Sequence, residues 1–501
     1  MTRVIRSLLT LLMTTLIIGA FSFDARSQTR PPNARTTFKT MVAHKNHIPG
    51  VKSVAGAAGM EAPATFSAPP YSVGPTITPT TTVPEAEEHI AVDPKNFSNL
   101  VAMISDFSLR GGFNTSKFAF SNNDGANWSE SFVPLSGGFP ATADGHLWQA
   151  NSDPVVAIDK LGNVYLENLY LQVDSNFNVT NDGLYVCVAK LDSGPTFDQS
   201  GCHAVKTTLA PATVIEDKPW IAVDNSTSKF SGTVYAAWTH FTATSDMVFV
   251  SHSTDHGVTW SKPVQINPDS QSGAVQGSQV AVGPAGEVYV AYEVFLGSTG
   301  AQGQHFIAES TNGGASFGKA VAMTPIFNNL SFSAPYRDNS FPALAVSPVS
   351  GSSFIYDVYT DQPGTNSRTA FVRSTQPATL ASFTTPVSVN DVTTGQRLMP
   401  AVAVDSNGVV NISWFDTRGS SGTVTLLDIF ATYTKDEGVT FAPNAQANSS
   451  SIHASSRGDF IGDYAGIAAS PDSTNSLAHP VWTSNGLGFN GQMQTSTLTV
   501  P

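Results

Sequence analysis

Charge and sulfur are both scarce in this chain. Of its 501 residues only 13% are Asp, Glu, Lys or Arg, and 2 are cysteine. Two cysteines exclude a disulfide-built scaffold, and Cys187 and Cys202, in a C-x14-C spacing with no second pair near them, do not make a zinc-type ligand set. Basic residues are the scarcer charge, 25 Lys+Arg against 38 Asp+Glu for a formal net charge of −13. A chain of that sign is a poor partner for nucleic acid or an anionic membrane. Long apolar runs are lacking as well. The one exception, residues 8–20 behind Arg3 and Arg6, is too short to span a bilayer and reads as the core of an export signal, residues 1–27, with Ala25-Arg26-Ser27 at the cleavage site. An uncleaved anchor is the alternative. Cleavage removes Arg3, Arg6, Arg26 and Asp24, which leaves 22 basic against 37 acidic residues, a balance of −15, and no membrane span. The expected location is secreted, periplasmic or at the cell surface.

What is abundant is glycine and proline, 40 and 31 residues, as a loop-rich all-β protein requires. Residues 28–62 have no hydrophobic period and read as a flexible leader to a domain over 63–501. Within that domain one turn recurs. In Ser253-Thr254-Asp255-His256-Gly257-Val258-Thr259-Trp260 the Asp is placed to accept from backbone N–H groups one and two residues on, the Gly to take positive φ, and the Trp to fold back as an apolar plug. Copies run over 121–128, 190–197, 310–317 and 434–441, with a degraded one between Ser374 and Phe383. Cys187 and Cys202 straddle the 190–197 copy almost symmetrically, so they face each other on adjacent strands and are expected to form a structural disulfide. The pattern Ser/Thr-x-Asp-x-Gly-x-Thr/Asn-Trp/Phe resembles the Asp-box (BNR repeat) proteins, the sialidase-like β-propellers.

A second phrase alternates with the turns: a small apolar strand, a turn, then a strand ending in an aromatic. Ile90-Ala91-Val92-Asp93, Trp220-Ile221-Ala222-Val223-Asp224 with Val234-Tyr235-Ala236-Ala237-Trp238, and Ala401-Val402-Ala403-Val404-Asp405 with Val410-Asn411-Ile412-Ser413-Trp414 are examples. Seven copies end near 93, 159, 224, 283, 347, 405 and 470, intervals of 58 to 66 residues, enough for a four-stranded sheet each. The expectation is a β-propeller of four-stranded antiparallel blades, seven in number, with six blades and an extra hairpin as the alternative. We label the strands of a blade A to D in chain order, so that the repeated turn joins C to D. The seventh unit lacks a fourth strand, and residues 64–75 are expected to supply it and close the ring.

Antiparallel connectivity puts the A→B and C→D turns on one face and the D→A and B→C connections on the other. The box aspartates Asp192, Asp255 and Asp436 are therefore structural, and function belongs to the opposite rim. Candidates before strand A are Glu87, Glu88, Asp153, Glu216, Asp217, Arg337, Asp338, Arg397, Arg457, Asp459, Asp463 and Tyr464, and after strand B His240, Glu293, Asp416 and Arg418. Resemblance to sialidases implies three arginines holding a sugar carboxylate and a Tyr nucleophile paired with a Glu, with an Asp as acid/base. On this chain it points to Arg337, Arg397 and Arg457 for the carboxylate and Tyr464 with Glu293 for attack. Asp217 or Asp153 becomes the acid/base, and Asp463 joins the substrate contacts. The Arg-Ile-Pro motif of sialidases is absent, and no arginine precedes strand A in the first three blades. No cofactor is implied, although Glu87, Asp153, Asp217 and Asp463 together suit a Ca²⁺ ion. Arg457-Gly458-Asp459 reads as a chance match to an adhesion tripeptide. The expected partner of a monomeric propeller is an extracellular glycan or glycoprotein, hydrolysed in a sialidase-like reaction. The alternatives are binding without turnover and a scaffold tethered by the leader.

Overall fold

The computed structural model describes residues 71–500 apart from 79–84, 111–112, 136–147, 174–178, 193, 210–213, 298–299, 332–338, 420–425, 454–460, 473, 475 and 486–490. The expected signal segment 1–27 and leader 28–62 lie outside the described residues, as do Arg337, Asp338, Arg457 and Asp459. Seven antiparallel sheets of four paired strands follow one another in the chain, those of blades 4 and 6 with a short fifth strand. Their A strands are Glu85–Asp93, Ala150–Ile158, Ile215–Val223, Val275–Val282, Ala343–Val346, Arg397–Val404 and Gly466–Ala469. Each A strand packs on the A strands of both neighbouring blades, and the seventh packs on the first, so the blades form a closed ring of seven. At that crowded axis an Ala stands two residues before every A→B turn: Ala91, Ala157, Ala222, Ala281, Ala345, Ala403 and Ala468. The core is a series of layers between blades rather than one central mass. Trp238, Trp414 and Trp482, all from B strands, are among its largest fully buried side chains.

Closure works as the sequence requires. Tyr71–Thr76 pairs with Gly491–Thr499 and becomes strand D of the blade whose other strands come from the C-terminus. N- and C-terminal chain segments thus share one sheet, which removes two exposed edges at once. Cys187 and Cys202 stand directly opposite on neighbouring strands of blade 2 and are joined as a disulfide.

The repeated turns share one bonding pattern, which differs in detail from the expected one. Gly257 N–H donates to the Ser253 hydroxyl (2.8 Å). Asp255 reaches further along the chain than expected, to the N–H (2.8 Å) and hydroxyl (2.6 Å) of Thr259, and accepts from the Ser253 hydroxyl (2.7 Å). Trp260 folds back to donate to the Gly257 carbonyl (3.1 Å), and Gly257 holds φ 85°. Thr434, Asp436, Gly438 and Thr440 repeat the arrangement. The fourth residue of a turn reaches the blade before it. His256 lies 3.6 Å from Asp159, Glu437 meets the Ser352 hydroxyl at 2.5 Å, and Asp124 meets His479 at 2.9 Å. These turns are stitches between blades on the face that also carries the A→B turns. Replacing Asp255 or Asp436 by Ala removes three hydrogen bonds from an exposed turn. Each change is expected to lower the unfolding free energy in urea by about 1–2 kcal/mol without altering chemistry at the other face.

Candidate functional site

On the face opposite the turns, the A strands share a defect. In blades 1, 2, 3, 4 and 6 the pairing of A with B slips by one residue near its start, so that two residues of A oppose one of B. The first bulged residue has positive φ in every case: Glu87 (66°), Asp153 (52°), Lys218 (52°), Gly277 (72°) and Met399 (48°). All five stand six residues before their A→B turn, and the same count in blades 5 and 7 reaches Phe341 and Tyr464. Glycine is the residue that takes this conformation without strain, yet four of the five are not glycine, and strain of that kind is stored where a side chain must be aimed. Gly277 is required for another reason: a Cβ there would enter the ring of Phe341. Gly462, at φ 94°, passes so close to the first bulge that a Cβ would lie 2.8 Å from the Glu87 nitrogen.

The bulges bring a polar cluster to the axis. The carboxyls of Asp217 and Asp153, from neighbouring blades, act on one another strongly enough to disfavour ionisation of both. Burial, followed by the influence of Asp153, holds the Asp217 carboxyl well above the usual carboxylate range, with Lys218 pulling the other way. Asp153 also accepts from the Ser152 hydroxyl (2.8 Å), and Asp217 from the Lys218 N–H (2.9 Å). Lys218 crosses to blade 7. Its ammonium lies 3.5 Å from Asp463, 4.6 Å from the centre of the Tyr464 ring and 5.1 Å from that of Phe341. Asn339 donates to the other oxygen of Asp463 (2.5 Å). Below them is a cavity of about 180 Å³ lined by His89, Trp220, Gln279, Asn339, Phe341, Met399, Asp463 and Tyr464. Trp220 packs edge-on against both His89 (4.9 Å) and Tyr464 (5.8 Å). Burial lowers the His89 pKa to about 4, and its Nδ1 accepts from the Val156 N–H (3.2 Å), so the imidazole is neutral with its proton on Nε2. Among the described residues no three His, Cys, Asp or Glu are grouped as a metal requires, and the cation beside Asp217 and Asp463 is Lys218.

Several expected rim residues are instead built into the blades. Arg397 is fully buried, with its guanidinium bonded to Asp416 (3.2 Å) and to the carbonyls of Thr394, Gly395 and Val392. It closes its own loop and is not set to hold a substrate carboxylate. Arg418 is likewise committed to Asp416 and Asp391 over the ring of Phe430. Glu216 accepts from the Trp238 indole (2.6 Å) and meets His240 (2.9 Å), its cross-strand neighbour. Glu88 is fully buried, with burial raising its pKa well above the ordinary value. Tyr464 does reach the cluster, but its hydroxyl donates to the Pro154 carbonyl (3.1 Å). Burial, then the charges of Glu87, Asp153, Glu88 and Asp463, push its pKa well up, the reverse of what activates a phenol for attack. Its expected partner Glu293 belongs to a separate cluster. There Glu293 accepts from Asn329 (2.8 Å), and His305 joins Asp357 (2.7 Å) to the Ser340 carbonyl (2.8 Å). Lys218, Trp220, His89, Asn339 and Phe341 escaped the sequence reading. Counting back six residues from each A→B turn, rather than collecting charges before strand A, would have found Lys218 and Phe341.

No protein-family model and no curated protein sequence matches the chain. Solved structures do. The chain is similar to an α-L-arabinanase of Penicillium chrysogenum complexed with arabinobiose at 14% identity, over 86% of this chain and 98% of that one, with a TM-score of 0.47. An α-L-arabinofuranosidase of Fusarium graminearum, also with arabinobiose, gives 11%, 86%, 98% and 0.46. A sialidase of Streptococcus pneumoniae gives 10%, 86%, 70% and 0.41. At such values no residue role passes from them to this chain.

The Glu293 cluster gives a pH signature. Burial raises its carboxyl from 4.5 to about 7, against the pull of the His305 and Asn329 contacts. A raised folded-state pKa means that the protonated group favours folding below 4.5 and that this contribution is lost as pH rises through about 7, on the order of 3 kcal/mol in all. Glu293→Gln keeps the Asn329 contact and cannot ionise. Its unfolding free energy relative to wild type is therefore expected to rise by that amount between pH 4.5 and pH 8.

Proposed function

We propose that this chain is an exported, carbohydrate-active propeller of the Asp-box kind that hydrolyses a glycosidic bond at the mouth of its channel. One observation carries the reading: two carboxyl groups in unlike surroundings, Asp217 and Asp463, lie near one another at the axis. Asp217 is kept protonated by burial and by Asp153, whereas Asp463 faces an ammonium and an amide, which favour its carboxylate form. Such a pair is what glycoside hydrolysis needs, with Asp217 giving its proton to the leaving oxygen and Asp463 as the second carboxylate. Asp153 and Asp217 act on each other's ionisation and serve together as a single acid/base unit. Trp220 and Tyr464 offer aromatic surface beside the amides of Gln279 and Asn339, a lining suited to sugar rings and their hydroxyls. Export rests on residues 1–27, and the Cys187–Cys202 disulfide agrees with an oxidising destination.

Binding without turnover is the second reading, favoured by Asp217 not being among the residues that line the cavity. A panel of aryl glycosides that includes a sialoside separates the two, read alongside a glycan array. Hydrolysis predicts turnover that falls as pH rises through the raised pKa of Asp217. It also predicts that Asp217→Asn lowers kcat at least 100-fold while array binding persists. Wild-type protein that binds a glycan, turns over none of the panel and is unchanged by the substitution is a lectin-like propeller.

A further inference from the structure

Lys218 is the odd member of the mouth. Its side chain is 8% exposed, and its ammonium has no hydrogen-bond partner among the described residues although it can donate three. What surrounds it is two aromatic faces, Tyr464 and Phe341, and the Asp463 carboxylate at 3.5 Å. Rings at that distance attract a cation through their faces, and one carboxylate supplies the counter-charge. The geometry of an ammonium cage is therefore present, filled by a side chain of the protein itself.

Charge decides what else fits there. Asp463 supplies the counter-charge to Lys218, and Asp153 and Asp217 stand close by, so carboxyl groups outnumber the one ammonium among the described residues of this buried place. A uronic acid, a sulfated sugar or a sialic acid would add a negative charge to these carboxyls, whereas a ligand bearing an ammonium adds none and can replace the lysine charge for charge. We propose that the channel mouth recognises an amine-bearing sugar, a glycosaminide rather than an acidic sugar, whose ammonium takes the place between Asp463 and the rings of Tyr464 and Phe341 that Lys218 holds in the free chain. The lysine is then an internal ligand. Its long aliphatic stem lets it withdraw, and its positive-φ backbone points it at the cage until a competitor arrives. This rests on the reading of the mouth as a glycan site.

The test is binding by calorimetry, which needs no turnover. Methyl glucosaminide, methyl glucoside and methyl glucuronide are titrated into wild-type protein, Lys218→Met and the double variant Lys218→Met, Asp463→Asn, with methylammonium as a probe of the cage alone. Thermal unfolding and circular dichroism check that each variant is folded, and Lys218→Gln serves if Lys218→Met is not. The expected result is that the glucosaminide binds better than the glucoside and that emptying the cage tightens it at least tenfold. The Asp463→Asn change reverses that gain, and the glucuronide shows no binding. Glucosaminide affinity unchanged or weakened by Lys218→Met overturns the proposal, as does a glucuronide that binds through Lys218. Methylammonium binding without any sugar binding keeps the cage but defeats both the amino-sugar assignment and the glycan reading beneath it. Amino-sugar binding without hydrolysis of any glycoside defeats only the catalytic part of that reading.

Discussion

Seven strands that converge on one axis leave almost no room for side chains, and this crowding governs both halves of the molecule. Where the strands come closest the chain uses alanine, two residues before every A→B turn. Where they flare apart, the bulge in strand A spends an extra residue to turn the backbone. The first bulged residue is forced to positive φ and its side chain is directed toward the axis. That one device is repeated around the ring at Glu87, Asp153, Lys218 and Met399. The polar cluster at the mouth is thus a consequence of how the propeller accommodates its own centre.

The two faces divide the work. On one, the repeated turns exhaust their polar groups on themselves and on the preceding blade, through His256, Glu437 and Asp124. On the other, buried carboxyls crowd together and disfavour each other's ionisation, and a lysine stands beside them whose ammonium has no hydrogen bond among the described residues. Polar groups of the first kind are satisfied and hold the fold. Those of the second keep unmet bonding capacity in a low-dielectric place, at a cost that a ligand can offset.

Much of this was legible beforehand. Period and alternation carried the seven blades, the Ala-rich A strands and the closing role of the segment ahead of residue 76, because each follows from local pattern plus the need to remove free edges. The disulfide followed from the symmetry of two cysteines about one turn. The site was only half legible. Asp153, Asp217, Asp463 and Tyr464 meet as anticipated, whereas Arg397 and Glu293 do not join them. Charge ahead of a strand does not say whether a side chain faces the axis or its own sheet, and a one-residue bulge reverses the answer. Arg397 lies before the bulge and turns to Asp416, its cross-strand neighbour. Lys218 lies on the bulge and crosses the channel.

The central claim is that Asp153 and Asp217 meet at the axis and hold a carboxyl there well above the usual carboxylate range. It is tested most directly by following side-chain carboxyl ¹³C shifts of aspartate-labelled protein across pH, with Asp153→Asn and Asp217→Asn for assignment. The account predicts one carboxyl that stays protonated well above the usual carboxylate range in the wild type and loses that behaviour when its partner is made an amide. Two carboxyls that titrate independently near pH 4, indifferent to each other's replacement, would contradict it.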